Sequence, residues 1–259
     1  MIPRAAITAW GRGVPWPTVE QIEQDLLLSR LIVEIANDEY LGDEVVFRGG
    51  TCMHKLYVPE PLRYSEDLDY VRTTSGGIGE LTRAVTQIGK RLGMEVRTRL
   101  TEHPKMFLRA QYETGSGPMR IKIEVNTFER SPARPPIKIP FDVDSSWFTG
   151  GAEVLTFTLD EVVATKIRAL FQRSKGRDLF DLWLALTRLE VPASSIVDAF
   201  GPYRPDGYTG RRGELNLREK VKRLAFREDI RPLVTAWPEG YDIDAAAELV
   251  VADVFALIE

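Results

Sequence analysis

Phe47-Arg48-Gly49-Gly50-Thr51-Cys52-Met53-His54-Lys55-Leu56-Tyr57, followed by Arg63-Tyr64-Ser65-Glu66-Asp67-Leu68-Asp69-Tyr70, is where the chain declares its architecture. Residues 45–47 form a short apolar run, as a buried strand does. Gly49 and Gly50 break it, and a short amphipathic piece over 51–57 follows. Pro59 and Pro61 end that piece. Residues 63–72 read as a second strand, in which alternate side chains share a face. Ser65, Asp67, Asp69 and Val71 fall on one face, and Tyr64, Glu66, Leu68 and Tyr70 on the other. Asp67 and Asp69 are then about 7 Å apart at Cα, close enough to converge on one hard cation. Mg2+ takes one or two carboxylates, with substrate phosphates and water completing its shell. The unit reads as a phosphate cradle facing a metal site. A glycine pair also serves any tight turn. What adds to that bland reading is Thr51 and a short helix directly behind the pair, whose amides are able to bind phosphate, with Arg48 or Lys55 adding charge. Cys52 and His54 lie on different sides of a helical turn and read as packing or surface residues.

Outward from this unit the chain alternates between the two periodicities. Thr18-Val19-Glu20-Gln21 fits a capping box, and Ile22, Leu26, Leu27, Leu31, Ile32 and Ile35 give the apolar face of a helix running to Ala36. Residues 78–92 read as a helix stopped by Gly93. Three strands follow over 94–100, 106–113 and 119–128, the last two joined through Gly115-Ser116-Gly117. In the third, Lys122, Glu124 and Asn126 make the polar face, which on an edge strand needs no function to explain it. Residues 131–140 read as a proline-rich connector. Asp142-Val143-Asp144 repeats the Asp-x-Asp pattern but lacks an upstream glycine turn, and reads as a loop or turn.

A second capping box, Thr158-Leu159-Asp160-Glu161, opens a helix to about Arg173. Lys166 falls at the edge of its buried arc of Leu159, Val163, Ile167 and Leu170. Such a lysine either snorkels to water or meets an anion, because burying it alone costs several kcal/mol. The functional reading points it into a cleft toward a nucleotide triphosphate, with Arg173 on the same side two turns later. Asp178 and Asp181 open the next helix, where carboxylates also suit the helix dipole. Beyond Ala193 the pattern is helical over 194–200, 215–226 and 245–258, with a loop over 201–213. Arg211, Arg212, Arg218, Lys220, Lys222, Arg223 and Arg227 cluster there, as an RNA-binding face or as a charged surface helix interleaved with Glu214 and Glu219.

Arg48-Gly49-Gly50-Thr51, its spacing to Arg63-Tyr64-Ser65-Glu66-Asp67-Leu68-Asp69, and Lys166…Arg173 followed by Arg177-Asp178…Asp181 together resemble the nucleotidyltransferase fold of the DNA polymerase beta superfamily, and more narrowly the AbiEii/MenT nucleotidyltransferase toxins. The resemblance runs from about Gln24 to Leu186. It implies an α/β (α+β) fold: a mixed, mostly antiparallel sheet with flanking helices in residues 1–150, and a helical domain in 151–259 closing a cleft over it. It implies Asp67 and Asp69 as ligands of Mg2+, and Glu124 as a third carboxylate that completes the metal site or acts as base. Arg48, Gly49, Gly50, Thr51, Ser65, Lys166 and Arg173 would bind the nucleotide. Lys166 and Asp178 would belong to the active site, with Asp181 as a further candidate. The implied reaction transfers a nucleoside monophosphate from an NTP to the 3′ end of tRNA and so blocks translation. The implied partners are the tRNA acceptor end and a cognate antitoxin, which as a kinase could act on Ser65. Two other readings stay open: nucleotidylation of a protein or a small molecule such as an antibiotic, and a silent nucleotide-binding module.

Composition bounds these readings. The chain has 259 residues and 44% hydrophobic content, enough for ample core. Its formal charge of −4 removes a bulk electrostatic argument for nucleic acid and leaves only a local patch. With one cysteine, no internal disulfide forms, and a structural zinc site lacks ligands. No apolar run is long enough for a membrane span, and the first residues lack the apolar centre of a signal peptide. A cytoplasmic location is expected.

Overall fold

Residues 45–47 are buried because β1 (Val45–Arg48) has strand partners on both sides, so neither face nor edge meets water. In the computed structural model, which describes residues 2–60, 62–101, 103–115 and 117–259, the chain divides into two compact units. The first comprises Met1–Arg130 and Pro136–Phe157, the second Ser131–Pro135 and Thr158–Glu259.

The first unit is built on a mixed seven-stranded sheet. β2 (Asp67–Arg72), β3 (Glu95–Arg99), β4 (Lys105–Gln111), β5 (Pro118–Asn126), β6 (Ile137–Asp144) and β7 (Thr149–Thr156) join β1 in the order β3-β4-β5-β2-β1-β7-β6. β2 runs antiparallel to β1 and parallel to β5, while β7 runs parallel to β1. The flanking helices are α1 (Arg4–Trp10), α2 (Val19–Ala36), α3 (Leu41–Glu44), α4 (Gly49–Cys52) and α5 (Gly79–Arg91). The capping box of α2 forms in both directions, Gln21 N to Thr18 Oγ1 at 3.2 Å and Thr18 N to Gln21 Oε1 at 3.3 Å. Leu26, Leu28, Leu31 and Ile32 on α2 are fully buried, α2 packing on β5, β6 and β7. Each such side chain contributes about 1.5–3 kcal/mol of hydrophobic burial.

Three expectations need correction in this unit. The connector over 131–140 and the loop over 142–144 conceal β6. Pro140 is tolerated there because β6 is the outermost strand, where a missing N–H interrupts no ladder. Asp142 and Asp144 alternate around buried Val143 and are exposed, so this Asp-x-Asp forms no site. A domain boundary at 150/151 would cut β7, whose pairing with β1 keeps it in the sheet; the units divide after Phe157 instead. The strand over 63–72 begins its ladder only at Asp67. β4 and β5 do pair as a hairpin, but Ser116 of the turn proposed for it lies outside the described residues.

The second unit is helical: α6 (Leu159–Gln172), α7 (Gly176–Thr187), α8 (Ala193–Phe200), α9 (Gly210–Val221), α10 (Leu224–Arg227) and α11 (Ile243–Asp253). The capping box expected at its start is absent, since the Thr158 side chain makes no cap bond. Glu161 is buried and accepts instead from the amides of Ala133 at 2.7 Å and Arg134 at 3.0 Å and from the Tyr203 hydroxyl at 2.6 Å. That explains why Ser131–Pro135 belongs to this unit. α9 starts earlier than periodicity suggests. Gly210 sits there because a Cβ would lie 1.9 Å from the Phe255 carbonyl oxygen, so this glycine marks tight packing, not a loop. Among the described residues no helix is long and apolar enough to cross a membrane.

Candidate active site

In the first unit, β1 ends at Arg48 and the chain turns at once into α4, then into a π-helical turn, Met53–Tyr57. Gly49 makes the turn possible. Its φ is +85°, and a Cβ there would stand 2.8 Å from Asp69 Oδ2 and 3.2 Å from Asp69 Cβ. Backbone thus lies directly against a candidate carboxylate, an approach open to glycine alone. Arg48 takes the N-cap position without a side-chain cap bond. The Thr51 hydroxyl is buried and donates to the Asp67 carbonyl, with Ser65 Oγ 2.8 Å away. Thr51 therefore bolts the turn to the start of β2, and its side chain is not offered to a ligand.

Strand register gathers the charges. Arg48 stands opposite Asp69, Asp69 opposite Glu124, and Glu124 opposite Lys105; one step away Asp67 stands opposite Lys122. Cross-strand partners share a face, so one side of the sheet carries two charged rows. The other side carries the buried Phe47, Leu68, Tyr70 and Ile123. Lys122 Nζ lies 3.0 Å from Asp67 Oδ2 and 3.0 Å from Glu124 Oε2, and Lys105 Nζ lies 3.3 Å from Glu124 Oε1. Arg48 is turned to Glu129 at 2.6 Å, and Asn126 donates to the same carboxylate at 2.7 Å.

These neighbours set the ionisation. Burial pushes the Asp69 carboxyl above its ordinary range; repulsion from Asp67 and Glu124 adds to this, and Lys122 and Arg48 oppose it. Burial also works on Glu124, but Lys122 and then Lys105 outweigh it and hold that carboxyl below its usual range. Asp67, Asp69 and Glu124 share a face, as expected, yet they do not converge: among the described residues no group of three or more His, Cys, Asp or Glu gathers as a metal site. Glu124 is drawn onto two lysines instead. Asp67 and Asp69 fit a hard divalent cation by donor type and shared face, and the disfavoured ionisation of Asp69 is what such a cation would relieve.

In the second unit, α6 and α7 bring four charged groups together. Lys166 is buried, its side chain only 4% exposed, so it does not snorkel. Its Nζ is 2.7 Å from Asp181 Oδ2 and 3.9 Å from Asp178 Oδ1. Arg173 donates from Nε and Nη2 to the two oxygens of Asp178, both at 2.7 Å, a bidentate charge-assisted pair. Both aspartate side chains are fully buried. Two cations thus balance two carboxylates, which goes beyond the dipole role of a first-turn aspartate.

Other residues singled out in the sequence are committed elsewhere. Lys55 does not add charge to the turn; it is on Asp25 at 2.8 Å, where Trp10 Nε1 also donates at 2.9 Å. Cys52 is packed in the core, 3.1 Å from Thr156 Oγ1. Within the 211–227 cluster, Arg218 bonds Glu214 and Glu248, Lys222 bonds Glu219, and Arg227 bonds Asp244. Lys220 is buried and donates to the carbonyls of Leu170 and Phe171 at the end of α6. Burial, with Arg223 beside it and Asp178 opposing, pulls its amine down to about 8. Lys122, Lys105 and Glu129 were missed from sequence, although the alternation of β5 already put Lys122 on the face of Glu124.

Residues 30–249 match the family model described as nucleotidyl transferase AbiEii toxin, type IV TA system. Among solved structures, JHP933 from Helicobacter pylori superposes with a TM-score of 0.57 at 15% identity, covering 91% of this chain and 90% of that one. A putative nucleotidyltransferase from H. pylori gives 0.55 at 16% identity over 91% and 93%. MenT4, a nucleotidyltransferase toxin from Mycobacterium tuberculosis H37Rv, gives 0.53 at 17% identity over 96% and 99%. At these identities the likeness shows a shared fold. A search among curated proteins found no match.

Proposed function

Because the chain belongs to the AbiEii nucleotidyltransferase toxin family, we propose that it transfers a nucleoside monophosphate from an NTP to the 3′-terminal hydroxyl of tRNA, with Mg2+ on Asp67 and Asp69. The observation that carries this reading is the Gly49 turn, whose backbone lies against Asp69 while Asp67 and Asp69 share one sheet face. That is a place for phosphate beside a place for a cation. The acceptor oxygen bonds to the α-phosphorus and gives its proton to solvent water, the bond from that phosphorus to the bridging oxygen breaks, and pyrophosphate leaves with the electron pair. Asp67 and Asp69 would hold the Mg2+, which when bound would supply positive charge to the triphosphate and make the attacking hydroxyl more acidic.

The chain's own groups then divide the work. The amides following Arg48 receive phosphate oxygens, and Arg48 adds charge from the rim. Lys166 and Arg173, the two cations of the helical unit, are proposed as nucleotide-binding residues on the family resemblance. Glu124, held below the usual carboxylate range, makes a poor proton acceptor and anchors Lys122 and Lys105 instead. A family of type IV systems implies an antitoxin partner; a kinase acting on Ser65 is one form it could take, since a phosphate beside Asp67 repels an incoming nucleotide.

The test is incubation with each labelled NTP and Mg2+, with total tRNA and protein fractions recovered separately and weighed by mass spectrometry. Label at the tRNA 3′ end that disappears with Asp69→Asn supports the reading. Label on protein or on a small molecule, with tRNA unmodified, overturns the acceptor.

A further inference from the structure

Lys122 has no part in the reaction above, yet it touches one of the two proposed cation ligands. Its register opposite Asp67 fixes where its stem leaves β5. From there the ammonium bridges Asp67 Oδ2 and Glu124 Oε2, both at 3.0 Å. The bridge has an electrostatic reason. Asp67, Asp69 and Glu124 place three carboxylates on one face, and the guanidinium of Arg48 is turned to Glu129. Lys122 puts a positive charge among them, and its tie to the carboxylates holds its amine well above the ordinary lysine range against the pull of burial.

A divalent ion on Asp67 and Asp69 meets this ammonium as a like charge on a shared ligand. Repulsion between the two cations weakens the ammonium's hold on Asp67, whichever carboxylate oxygen the ion takes. Glu124 offers the ammonium a second place, and Lys105 steadies Glu124 from the far side at 3.3 Å. A lysine suits such a shift, being a point charge on a flexible stem with three donors. We propose that Lys122 is a positioning residue: it occupies Asp67 while no divalent ion is bound, and binding of that ion moves it off Asp67 onto Glu124. The consequence is a site that resists free metal and takes its cation together with a nucleotide, whose phosphates complete the shell. The proposal rests on the reading of Asp67 and Asp69 as cation ligands.

The test measures Mn2+ binding to the full chain without nucleotide, by calorimetry, for wild type, Lys122→Gln and Asp67→Asn. Lys122→Gln should bind Mn2+ roughly two- to fivefold tighter, the worth of a part-exposed ion pair. A merely structural lysine would leave affinity unchanged or weaken it. On the wild-type chain, acetylation of Lys122 read by mass spectrometry should rise as Mn2+ saturates. An affinity in Lys122→Gln no tighter than wild type, or a Lys122 footprint indifferent to Mn2+, overturns the proposal. If wild type binds no Mn2+ that Asp67→Asn abolishes, the cation reading of the two aspartates fails first and by itself.

Discussion

Gly49→Ala is the sharpest probe of the turn. The added Cβ lies 2.8 Å from Asp69 Oδ2 and 3.2 Å from Asp69 Cβ, and the φ of +85° is one that an alanine adopts at a cost. The backbone conformation costs about 1–2 kcal/mol. Forcing a methyl into occupied space adds about 1–3 kcal/mol, for a total of about 2–5 kcal/mol. Urea denaturation of the variant should show this as a lower midpoint with an unchanged slope. Activity should fall further than stability predicts, because the methyl moves Asp69, and displacement of a reacting group by about 1 Å costs around a hundredfold. Asp69→Ala tests the assignment in a double-mutant cycle. It removes the closer contact but keeps the Cβ and the φ, so it should recover only part of the loss, coupling by about 1 kcal/mol. A Gly49→Ala protein with wild-type stability and wild-type tRNA labelling would refute the close approach and the cradle drawn from it.

Three further outcomes follow from the same geometry. Asp69 holds its proton more tightly folded than unfolded, so it adds stability below its unfolded value and loses it as pH rises through the raised one. Asp69→Asn should therefore gain stability over wild type near neutral pH, the gap closing in acid, and an equal or lower midpoint near neutrality contradicts this. Lys166→Met removes the ammonium 2.7 Å from the fully buried Asp181 carboxylate and should cost about 3–5 kcal/mol in urea denaturation, while Lys166→Met with Asp181→Leu should recover much of it. Ser65→Asp places a negative charge near Asp67 and should cut nucleotidyl transfer at least roughly tenfold with the fold intact; full activity would end the case for Ser65 as a phosphorylation switch.

What the sequence disclosed depended on whether neighbours in space were also neighbours in the chain. The turn at Gly49-Gly50 and the shared face of Asp67 and Asp69 are local, a matter of period and spacing, and both stand. So does the alternation of β5. The partners that decide chemistry are not local. Lys122 reaches Asp67 only because β2 and β5 lie parallel, and Glu129 takes Arg48 across 81 positions. β6 was hidden because its proline is legible as a breaker, whereas its place at the sheet edge, where a proline does no harm, belongs to topology. Glu161 misled in the opposite way. It fits a capping box by spacing, but Ala133, Arg134 and Tyr203 compete for its carboxylate and win.

The helical unit constrains how its two cations can meet a polyanion. Lys166 holds Asp181 at 2.7 Å, and that carboxylate is fully buried. Moving the ammonium away from a buried carboxylate costs several kcal/mol, so on the proposed reading Lys166 keeps Asp181 throughout. Arg173 stands differently. Its side chain is 50% exposed, and two of the five donors of its guanidinium bind Asp178. It has donors left to meet an anion while keeping Asp178, so of the two cations proposed to bind nucleotide it is the more adaptable. Arg173→Lys preserves charge but loses the planar fork. It should raise the KM for NTP about tenfold while lowering stability less than Lys166→Met does, since a cation still faces Asp178. An unchanged KM in Arg173→Lys, with nucleotidyl transfer intact, would show that Arg173 serves only to neutralise Asp178.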